Sequence, residues 1–324
     1  MPITFPKALE TGTLKEIRTI PKSDLHNHCL MGGRVATIEK FYGKKLSRFK
    51  PVKGSIHELD RWIIEVYRPF FMDYPDAFRK AVEAAFLQAR SDGVKVLEMS
   101  LDIGYAPAFQ TKPGQLVEIL KQVHQSIAPG IDYRPELGFM RGQSIRTLIA
   151  NLEPYLDLNY FKSVDLYDDE FAQPIRNFRE VFRYVKRIGL KCKAHAGEFG
   201  DADSVKETVE ELELDEVQHG IAAAASPAVM YWLADHHIRL NVCPASNIRL
   251  KRVRSYKTHP IRMLFDHGIQ VTINTDDVLI FGAGVSEQMK RLYTCGLFTS
   301  AELDVIRMNG LEETRYKQVL NSKR

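Results

Sequence analysis

The sequence lacks the features that mark several large classes of protein. Its four cysteines (Cys29, Cys192, Cys243 and Cys295) are far apart and form no Cys-x-x-Cys pair. This excludes a disulfide framework and a structural zinc knuckle. The chain also has no run of about 18 apolar residues, the length that a membrane-spanning helix needs. At its start, Met1–Phe5 shows no basic region followed by an apolar core, so we expect no secretory signal and a cytoplasmic location.

Motifs for nucleotide and nucleic-acid binding are also missing. No Gly-Lys-Ser/Thr phosphate loop occurs, and Gly282-Ala283-Gly284 is followed by Glu287 where a dinucleotide fingerprint has its third glycine. The zinc deaminases that act on bases in nucleic acids use His-x-Glu with Pro-Cys-x-x-Cys, and neither pattern is present. The net charge of +4 comes from 45 basic and 41 acidic residues that are interspersed. We expect neither a nucleic-acid nor a membrane partner, and the oligomeric state stays open.

The chain does contain a regular alternation of strand and helix patterns. Its 324 residues are 44% hydrophobic and 27% charged, as in globular proteins. Strands are predicted at residues 22–28, 94–100, 134–140, 161–167, 190–196, 216–220, 238–244 and 271–276. Eight strands alternating with helices imply right-handed βαβ units, a parallel sheet and an α/β fold, the (β/α)8 TIM barrel. Because no linker or low-complexity segment interrupts the pattern, we expect residues 1–324 to form a single domain.

Proline and cap residues mark where the predicted helices begin. Helices are opened by Pro75, by Pro174, by a capping box at Ser204–Glu207, by Ser226-Pro227 and by Pro260. The connection between the first two strands, residues 29–93, is too long for one helix, and 34–46 and 56–71 predict extra helices inserted after strand 1. Such insertions either build a pocket wall or only cover the end of a barrel.

His26 and His28 stand at the end of the first predicted strand. Residues two apart in a strand point to the same face, so both imidazoles can reach one metal ion. A helical pair would need the spacing of His-Glu-x-x-His, which does not occur. Taken alone, the pair is equally compatible with buried or solvated histidines that bind nothing.

Four other strand ends carry similar residue types. In a barrel, catalytic groups come from the carboxyl ends of several strands. The predicted strand ends contain His195-Ala196-Gly197-Glu198, His219-Gly220, Cys243-Pro244-Ala245-Ser246-Asn247 and Thr275-Asp276-Asp277. The joint pattern favours a metal-assisted acid–base site over a set of unrelated structural histidines.

These motifs, in this order, resemble the adenosine deaminase family of metal-dependent hydrolases, from Pro21 to about Tyr316. The resemblance implies that one zinc ion per chain is held by His26, His28, His195 and Asp276. It also implies that Glu198 donates a proton to the purine ring, that His219 is the base beside the attacking water, and that Asp277 binds the purine N7.

General chemistry agrees with these implied roles. Three imidazoles and one carboxylate suit Zn²⁺ with a position left for water. Displacing an amino group from an aromatic carbon also needs a proton for the ring nitrogen, which Glu198 can give if a closed pocket raises its pKa. For Asp277 an alternative stays open, in which its carboxylate only orients a ligating histidine.

The sequence departs from the family where the substrate should be recognised. Residues Cys29–Gly33 contain no carboxylate where the family usually has Leu-Asp-Gly or Leu-Glu-Gly, so the ribose contact is in doubt. Asp168 stands where the family has a glycine whose amide meets the purine N3. It is either a substrate-binding acceptor or a plain turn residue. At its end, predicted strand 2 reads Leu97–Leu101, which contains no arginine, whereas the family commonly has one close to the end of this strand.

A group of basic residues forms a further departure. This group comprises Arg34, Arg249, Lys251, Arg252, Arg254 and Lys257. These residues either hold an anionic group of the substrate or belong to a solvated loop.

The predicted function is therefore the zinc-dependent hydrolytic deamination of an aminopurine, a C–N hydrolase activity. Adenosine or a close adenine nucleoside is the expected substrate. The alternatives are free adenine, a nucleoside 5′-phosphate or a modified adenine nucleoside. Two more distant alternatives are another metal-dependent amidohydrolase and a binding protein that kept the barrel without its activity.

Overall fold

Eight parallel strands, adjacent in chain order, form one sheet in the computed structural model, which describes residues 3–72 and 76–311. The strands are β1 (Lys22–Asp24), β2 (Val94–Asp102), β3 (Asp132–Met140), β4 (Ser163–Tyr167), β5 (Lys191–Ala196), β6 (Glu216–His219), β7 (Arg239–Val242) and β8 (Val271–Ile273). Because each parallel pair needs a crossover, helices cover the outside of the sheet. The predicted (β/α)8 barrel and the order of its strands are confirmed.

Helices fill every connection. The α-helices span Phe5–Thr11, Leu14–Thr19, Val35–Tyr42, Ile56–Trp62, Arg68–Phe71, Ala77–Ser91, Tyr105–Ala108, Pro113–Ile127, Ile145–Leu156, Arg179–Arg187, Ala202–Leu212, Pro227–Asp235, Pro244–Arg249, Ile261–Asp266, Val278–Phe281, Val285–Thr294 and Ser300–Asn309. A π-helical turn spans Ile63–Tyr67, and 3₁₀ turns span Ile175–Phe178, Ile221–Ala225 and Tyr256–Thr258. The helices predicted after strand 1 are present. In the described parts of the chain, no helix is long and apolar enough to cross a membrane.

The caps agree with the sequence except at one helix. Ser226 accepts a hydrogen bond from the amide of Val229 and opens the helix Pro227–Asp235, as predicted. The prediction of a capping box at Ser204–Glu207 is wrong. Asp201 is the N-cap, and its carboxylate accepts a hydrogen bond from the amide of Ser204 at 2.8 Å. The helix thus begins one turn earlier, at Ala202, and Ser204 lies inside it. Pro75 is outside the described residues.

The main core lies between the barrel and its helices. The helix Ala77–Ser91 buries the apolar face expected from its 3.6-residue period, which comprises Phe78, Val82, Ala85, Phe86 and Ala89. Large aromatic side chains fill the same layer elsewhere, and Phe139 and Phe182 pack edge to face with their ring centres 5.9 Å apart.

A layer of charged side chains fills the barrel beneath the strand ends. The ammonium group of Lys193 is completely buried; it lies 2.7 Å from the carboxylate of Glu136 and also contacts Glu98. Burial opposes the charge on Lys193, but the two carboxylates outweigh it and raise its pKa. Since side chains two residues apart share a face, this layer lies directly below His195 of β5 and Ser100 of β2.

The seam between β1 and β8 is closed mainly by side chains. Among the described residues these strands form no regular ladder; past their ends, Asn27 and Asp276 form an isolated parallel bridge. The carboxylate of Asp24 accepts a hydrogen bond from the Thr275 amide at 3.0 Å and from its hydroxyl at 2.5 Å. Asn27 donates to the same hydroxyl at 2.8 Å. The Thr275 side chain therefore ties the two strands together immediately before Asp276.

We expect Thr275→Val to lower the free energy of unfolding by about 1–3 kcal/mol in urea titrations. The substitution keeps the shape of the side chain and leaves the buried acceptor of Asp24 and the donor of Asn27 without their shared partner. Thr294→Val is the control, because its hydroxyl donates an exposed hydrogen bond to the carbonyl of Lys290 within one helix. A loss of equal size in both variants would contradict a special role for the seam.

Candidate functional site

His26 and His28 lie just past β1 rather than inside it. The regular strand ends at Asp24, and the chain then pairs with both neighbours through isolated bridges from Asn27 to Asp276 and from His28 to Ser100. The amide of Asp276 donates to the carbonyl of His26 at 2.9 Å. Closure of the barrel therefore brings the histidines of strand 1 beside the aspartate that follows strand 8.

The four side chains predicted to hold a metal converge at this end of the barrel. The Oδ1 atom of Asp276 lies 3.4 Å from Nε2 of His28 and 3.9 Å from Nε2 of His26. The ring centres of His26 and His195 are 4.7 Å apart. His219 lies against the same group, with its ring centre 4.8 Å from that of His26.

The donor set fits a divalent transition metal. The potential ligand atoms of His26, His195 and His219 lie within 4.8 Å of one another, and so do those of His28, Asp276 and Asp277. The Nε2 atom of His26 is buried without a hydrogen-bond partner among the described residues. An unpartnered imidazole nitrogen that faces a carboxylate is compatible with a metal ligand.

The electrostatics of His26 and His28, two of the predicted ligands, are compatible with a metal site. Burial, followed by the nearby ring of His195, lowers the pKa of His26 well below its usual value, so this imidazole is neutral. Burial opposes a charge on His28, yet the carboxylates of Asp277 and Asp276 raise its pKa to about 10. A dication at this point would displace that proton, because ligating imidazoles must be deprotonated.

Further side chains orient the metal-facing rings. The hydroxyl of Ser100 lies 2.8 Å from Nδ1 of His28, and the thiol of Cys243 lies 3.5 Å from Nδ1 of His26. Asp165 on β4 contacts Nε2 of His195 at 3.2 Å. The sequence analysis missed the roles of Ser100 and Asp165. Their inward alternation on β2 and β4 was the available signal, since such partners commonly fix ligating histidines.

Glu198 lies at the edge of this cluster with its carboxyl group buried. Its Oε2 is 3.4 Å from Nε2 of His219, and its Oε1 accepts a hydrogen bond from the Ser246 hydroxyl at 3.3 Å. Burial, reinforced by the charges of Asp276 and Glu170, raises the pKa of Glu198 well above its usual value. This environment keeps Glu198 protonated and able to donate.

A chain of hydrogen bonds sets the tautomer of His219. The backbone amide of Ile261 donates to Nδ1 of His259, so the proton of the neutral His259 ring is on Nε2, which faces Oδ1 of Asn247 at 3.3 Å. The amide nitrogen of Asn247 then donates to Nδ1 of His219 at 3.2 Å. With Nδ1 accepting, Nε2 of His219 carries a proton toward the metal-facing cluster.

Three residues around the site have backbone conformations that side chains rarely adopt. The φ angles are 83° at Asp168, 65° at His219 and 55° at Asp276. Strain of this kind persists where the surrounding structure holds it, and it concentrates at functional sites. The positive φ at Asp168 explains why the family usually has a glycine at this position, since glycine adopts such an angle without strain.

A chamber opens directly onto the cluster. Its volume is about 350 Å³, and His28, His195, Glu198, Asp276 and Asp277 form its floor. The inserted helices at Ile56–Phe71 form its roof, which makes them a pocket wall rather than a plain cover for the barrel end. The wall is mostly apolar and includes Leu30, Met31, Ile63, Tyr67, Phe71 and Phe109.

Three further carboxyl groups, besides those on the floor, line the chamber. Asp168 borders it as the sequence analysis expected, and Asp60 and Asp102 were not foreseen. Burial, then the charge of Asp168, raises the pKa of Asp60 to about 7, and burial raises that of Asp102 to about 6. Residues 29–33 supply only Leu30 and Met31 to the wall, so no carboxylate comes from the position where the family has one.

The basic residues that follow strands 1 and 7 do not face this chamber. Arg34 forms an ion pair with Glu287 at 2.7 Å. From the loop after strand 7, Leu250 is the residue that lines the chamber, whereas Lys251, Arg252 and Arg254 border a neighbouring groove that shares Glu198 with it. Because none of these three basic residues lines the chamber itself, their positions do not support contact with a substrate bound there.

Comparison with known proteins identifies the family of this chain. The family model described as "Adenosine deaminase" matches residues 58–319. A Treponema pallidum protein named for adenosine/adenine deaminase activity is 32% identical over 91% of this chain and 98% of its own. The chain belongs to the adenosine deaminase family and is a hydrolase that acts on C–N bonds.

Two solved structures share the fold. A Burkholderia ambifaria amidohydrolase with bound zinc has a TM-score of 0.78 and 21% identity, over 96% of this chain and 88% of its own. An Arabidopsis protein called ADAL, in complex with GMP, has a TM-score of 0.77 and 14% identity, over 95% and 98%.

His259 gives the site a measurable pH dependence. Burial lowers its pKa from 6.5 to about 3 in the folded protein. Below pH 6.5 the unfolded chain therefore binds a proton that the folded chain does not, and stability falls as the pH drops toward 3. Between pH 6 and 4, we expect the unfolding free energy of the wild type to fall about 1 kcal/mol per pH unit more steeply than that of His259→Gln.

The control for this comparison is His236→Gln, since the ring of His236 is half exposed in the folded protein. Denaturant titrations at several pH values give the slopes. Parallel slopes for the wild type and His259→Gln would show that His259 does not stay neutral in the folded state.

Proposed function

We propose that the chain is a zinc-dependent deaminase that converts the 6-amino group of adenosine or a close adenine nucleoside to a 6-oxo group and releases ammonia. The observation that carries this proposal is the convergence of His26, His28, His195 and Asp276 at one end of the barrel. His28, His195 and Asp276 open onto the chamber together with the buried carboxyl group of Glu198. A set of three imidazoles and one carboxylate favours zinc among the common divalent metals. When bound, the metal would act as a Lewis acid that makes a water molecule ionisable near neutral pH.

The protein's own residues protonate the ring, hold the water and bind the purine. Glu198 donates a proton to the ring nitrogen next to the amino-bearing carbon, which prevents charge from accumulating on the ring during attack. His219 holds the attacking water through its Nε2 proton; the base role implied by the family resemblance would need the opposite tautomer. The Oδ1 of Asp277 is buried without a partner among the described residues, and burial raises the pKa of this carboxyl group to about 7. In its protonated form Asp277 donates a hydrogen bond to the purine N7, which is an acceptor.

The charges of the chamber favour a substrate without a phosphate. Asp60, Asp102 and Asp168 line the space beyond the ring-binding floor, and Arg68 is the single arginine among the described lining residues, which include no lysine. A phosphate dianion placed there would lose its hydration and meet carboxyl groups that are partly ionised near pH 7, since their pKa values are raised to about 7 at Asp60 and about 6 at Asp102. Both effects oppose its binding. Ribose hydroxyls or a purine N–H would instead find acceptors, with Asp168 in reach of the ring edge and Asp60 near the roof.

Two other functions fit the structure less well. An amidohydrolase that cleaves an amide bond would not need a carboxyl group to protonate an aromatic ring. Glu198 and Asp277 fit ring protonation and ring recognition instead. A binding protein without activity would not need to retain the full set of ligands together with Glu198 and His219. We therefore place both below deamination.

Removal of the metal and loss of the acid should have separable effects. We expect a chelator to abolish ammonia release from adenosine and zinc to restore it. Glu198→Gln should keep bound zinc, measured by elemental analysis, while turnover falls about 10²- to 10⁴-fold. Asp276→Ala should lower the zinc content itself. Glu207→Gln, on the outer face of the helix Ala202–Leu212, is the matched control and should match the wild type.

A protein that releases no ammonia from any aminopurine in the presence of zinc would contradict the proposed activity. Full turnover by Glu198→Gln would remove this residue from the mechanism, and unchanged zinc content in Asp276→Ala would refute its assignment as a ligand.

The chamber charges predict discrimination against nucleotides. We expect kcat/KM for AMP to be at least about 100-fold below that for adenosine or adenine, because like charges oppose its binding. The double variant Asp60→Asn, Asp168→Asn should narrow this ratio by raising the AMP value. Asp157→Asn, an exposed substitution, serves as the control. Equal values for AMP and adenosine in the wild type would overturn the electrostatic argument.

A further inference from the structure

A buried carboxylate holds the backbone of the loop that carries Glu198. Oε1 of Glu170 accepts hydrogen bonds from the amides of Glu198 at 2.9 Å and Phe199 at 2.7 Å, and Oε2 accepts from the amide of Gly197 at 2.7 Å. Three successive N–H groups thus point at one side chain, an arrangement that binds anions tightly. Glu170 is only 6% exposed.

The shape of the loop is specific for this contact. Gly197 has a φ of 67°, and a Cβ there would come within 2.4 Å of the Val205 side chain. A Cβ on Gly200 would stand 2.8 Å from Oε2 of Glu170. Gly200 therefore leaves room for the carboxylate of Glu170, and Gly197 provides the positive φ and the close packing against Val205 that the loop needs.

The amide groups are the main stabilisation of the charge on Glu170. Among the described residues, no lysine or arginine lies within 4.0 Å of its carboxylate. Burying a carboxylate without a cation is unfavourable unless hydrogen bonds replace its hydration. Breaking this contact would therefore be unfavourable for both partners, so the loop is held firmly.

The side chain of Glu198 has little else to hold it. Its one hydrogen bond among the described residues is the contact from Ser246, at a long 3.3 Å. The position of the carboxyl group is therefore set mainly by the backbone from which it projects. A general acid must lie within hydrogen-bond reach of the atom that it protonates, so a small shift of this backbone reduces turnover.

We infer that Glu170 is a positioning residue for catalysis, whose carboxylate clamps the amides of residues 197–199 and thereby holds Glu198 at the ring nitrogen of the substrate. The inference rests on the proposed role of Glu198 as the acid. It predicts that a change at residue 170 affects turnover through residue 198, while the metal and the binding of substrate are preserved.

The first test measures the clamp itself. Glu170→Gln keeps the size of the side chain but replaces one acceptor oxygen with an NH₂ group that faces a donor. In hydrogen exchange with zinc bound, we expect faster exchange in this variant in peptides that contain Gly197–Phe199, with other regions unchanged. Glu180→Gln, an 81% exposed side chain on the helix Arg179–Arg187, is the control. Unchanged exchange at residues 197–199 would overturn the clamp.

The second test measures its effect on catalysis. We expect Glu170→Gln to lower kcat about 10- to 100-fold, with KM within about threefold and zinc content unchanged. In the Glu198→Gln background the same substitution should lower kcat by less than about threefold, because there is no acid left to position. Glu170→Asp, which keeps the charge, should recover part of the loss. Equal losses in both backgrounds would show a general structural effect and refute the inference.

The two tests separate failure of the inference from failure of the proposed function. If the wild type releases no ammonia from any aminopurine, the proposed acid role is wrong and the inference falls with it, whatever the exchange result. If the wild type is active and exchange at residues 197–199 is unaffected by Glu170→Gln, only the inference is wrong.

Discussion

The hydrogen bonds of the Asp24 carboxylate across the seam of the barrel are the interaction on which the site depends. Strand pairing brings the other strand ends together around the sheet, but β1 and β8 meet through a few contacts, among them the bonds between Asp24 and Thr275 and the bridge between Asn27 and Asp276. The proposed ligands come from both sides of this seam, with His26 and His28 on one strand and Asp276 on the other. A barrel that opened here would keep most of its core and lose the convergence of its ligands.

The sequence predicted the barrel well because its strands and helices have distinct periods and clear stops. It also placed the metal-facing residues together, since each directly follows a strand and parallel strands end at the same edge of a barrel. Ser100 and Asp165 were missed because their roles depend on register between strands. Asp60 was missed because only tertiary packing brings its inserted helix over the chamber. Glu170 was missed because only tertiary packing brings the turn after β4 against the loop that carries Glu198.

Charge is divided sharply around the Glu198 loop. Carboxylates border the substrate chamber on one side, and Lys251, Arg252 and Arg254 border an open groove on the other. The sequence alone does not tell which side of the loop the basic residues face, because they follow a strand end that does contribute to the site. Their side is set by the direction in which the chain leaves β7, and Leu250 is the residue that turns toward the chamber.

The turn after β4 carries two contacts only two residues apart: Asp168 borders the chamber, and Glu170 holds the neighbouring loop. The strained backbone at Asp168 lies within the same short segment, so an insertion or deletion that widened the chamber would also displace Glu170. Substrate range in this protein can therefore diverge readily by exchange of the side chain at position 168. Insertions and deletions in the turn would displace Glu170, so a new specificity has to evolve by substitution rather than by a change in the length of the turn.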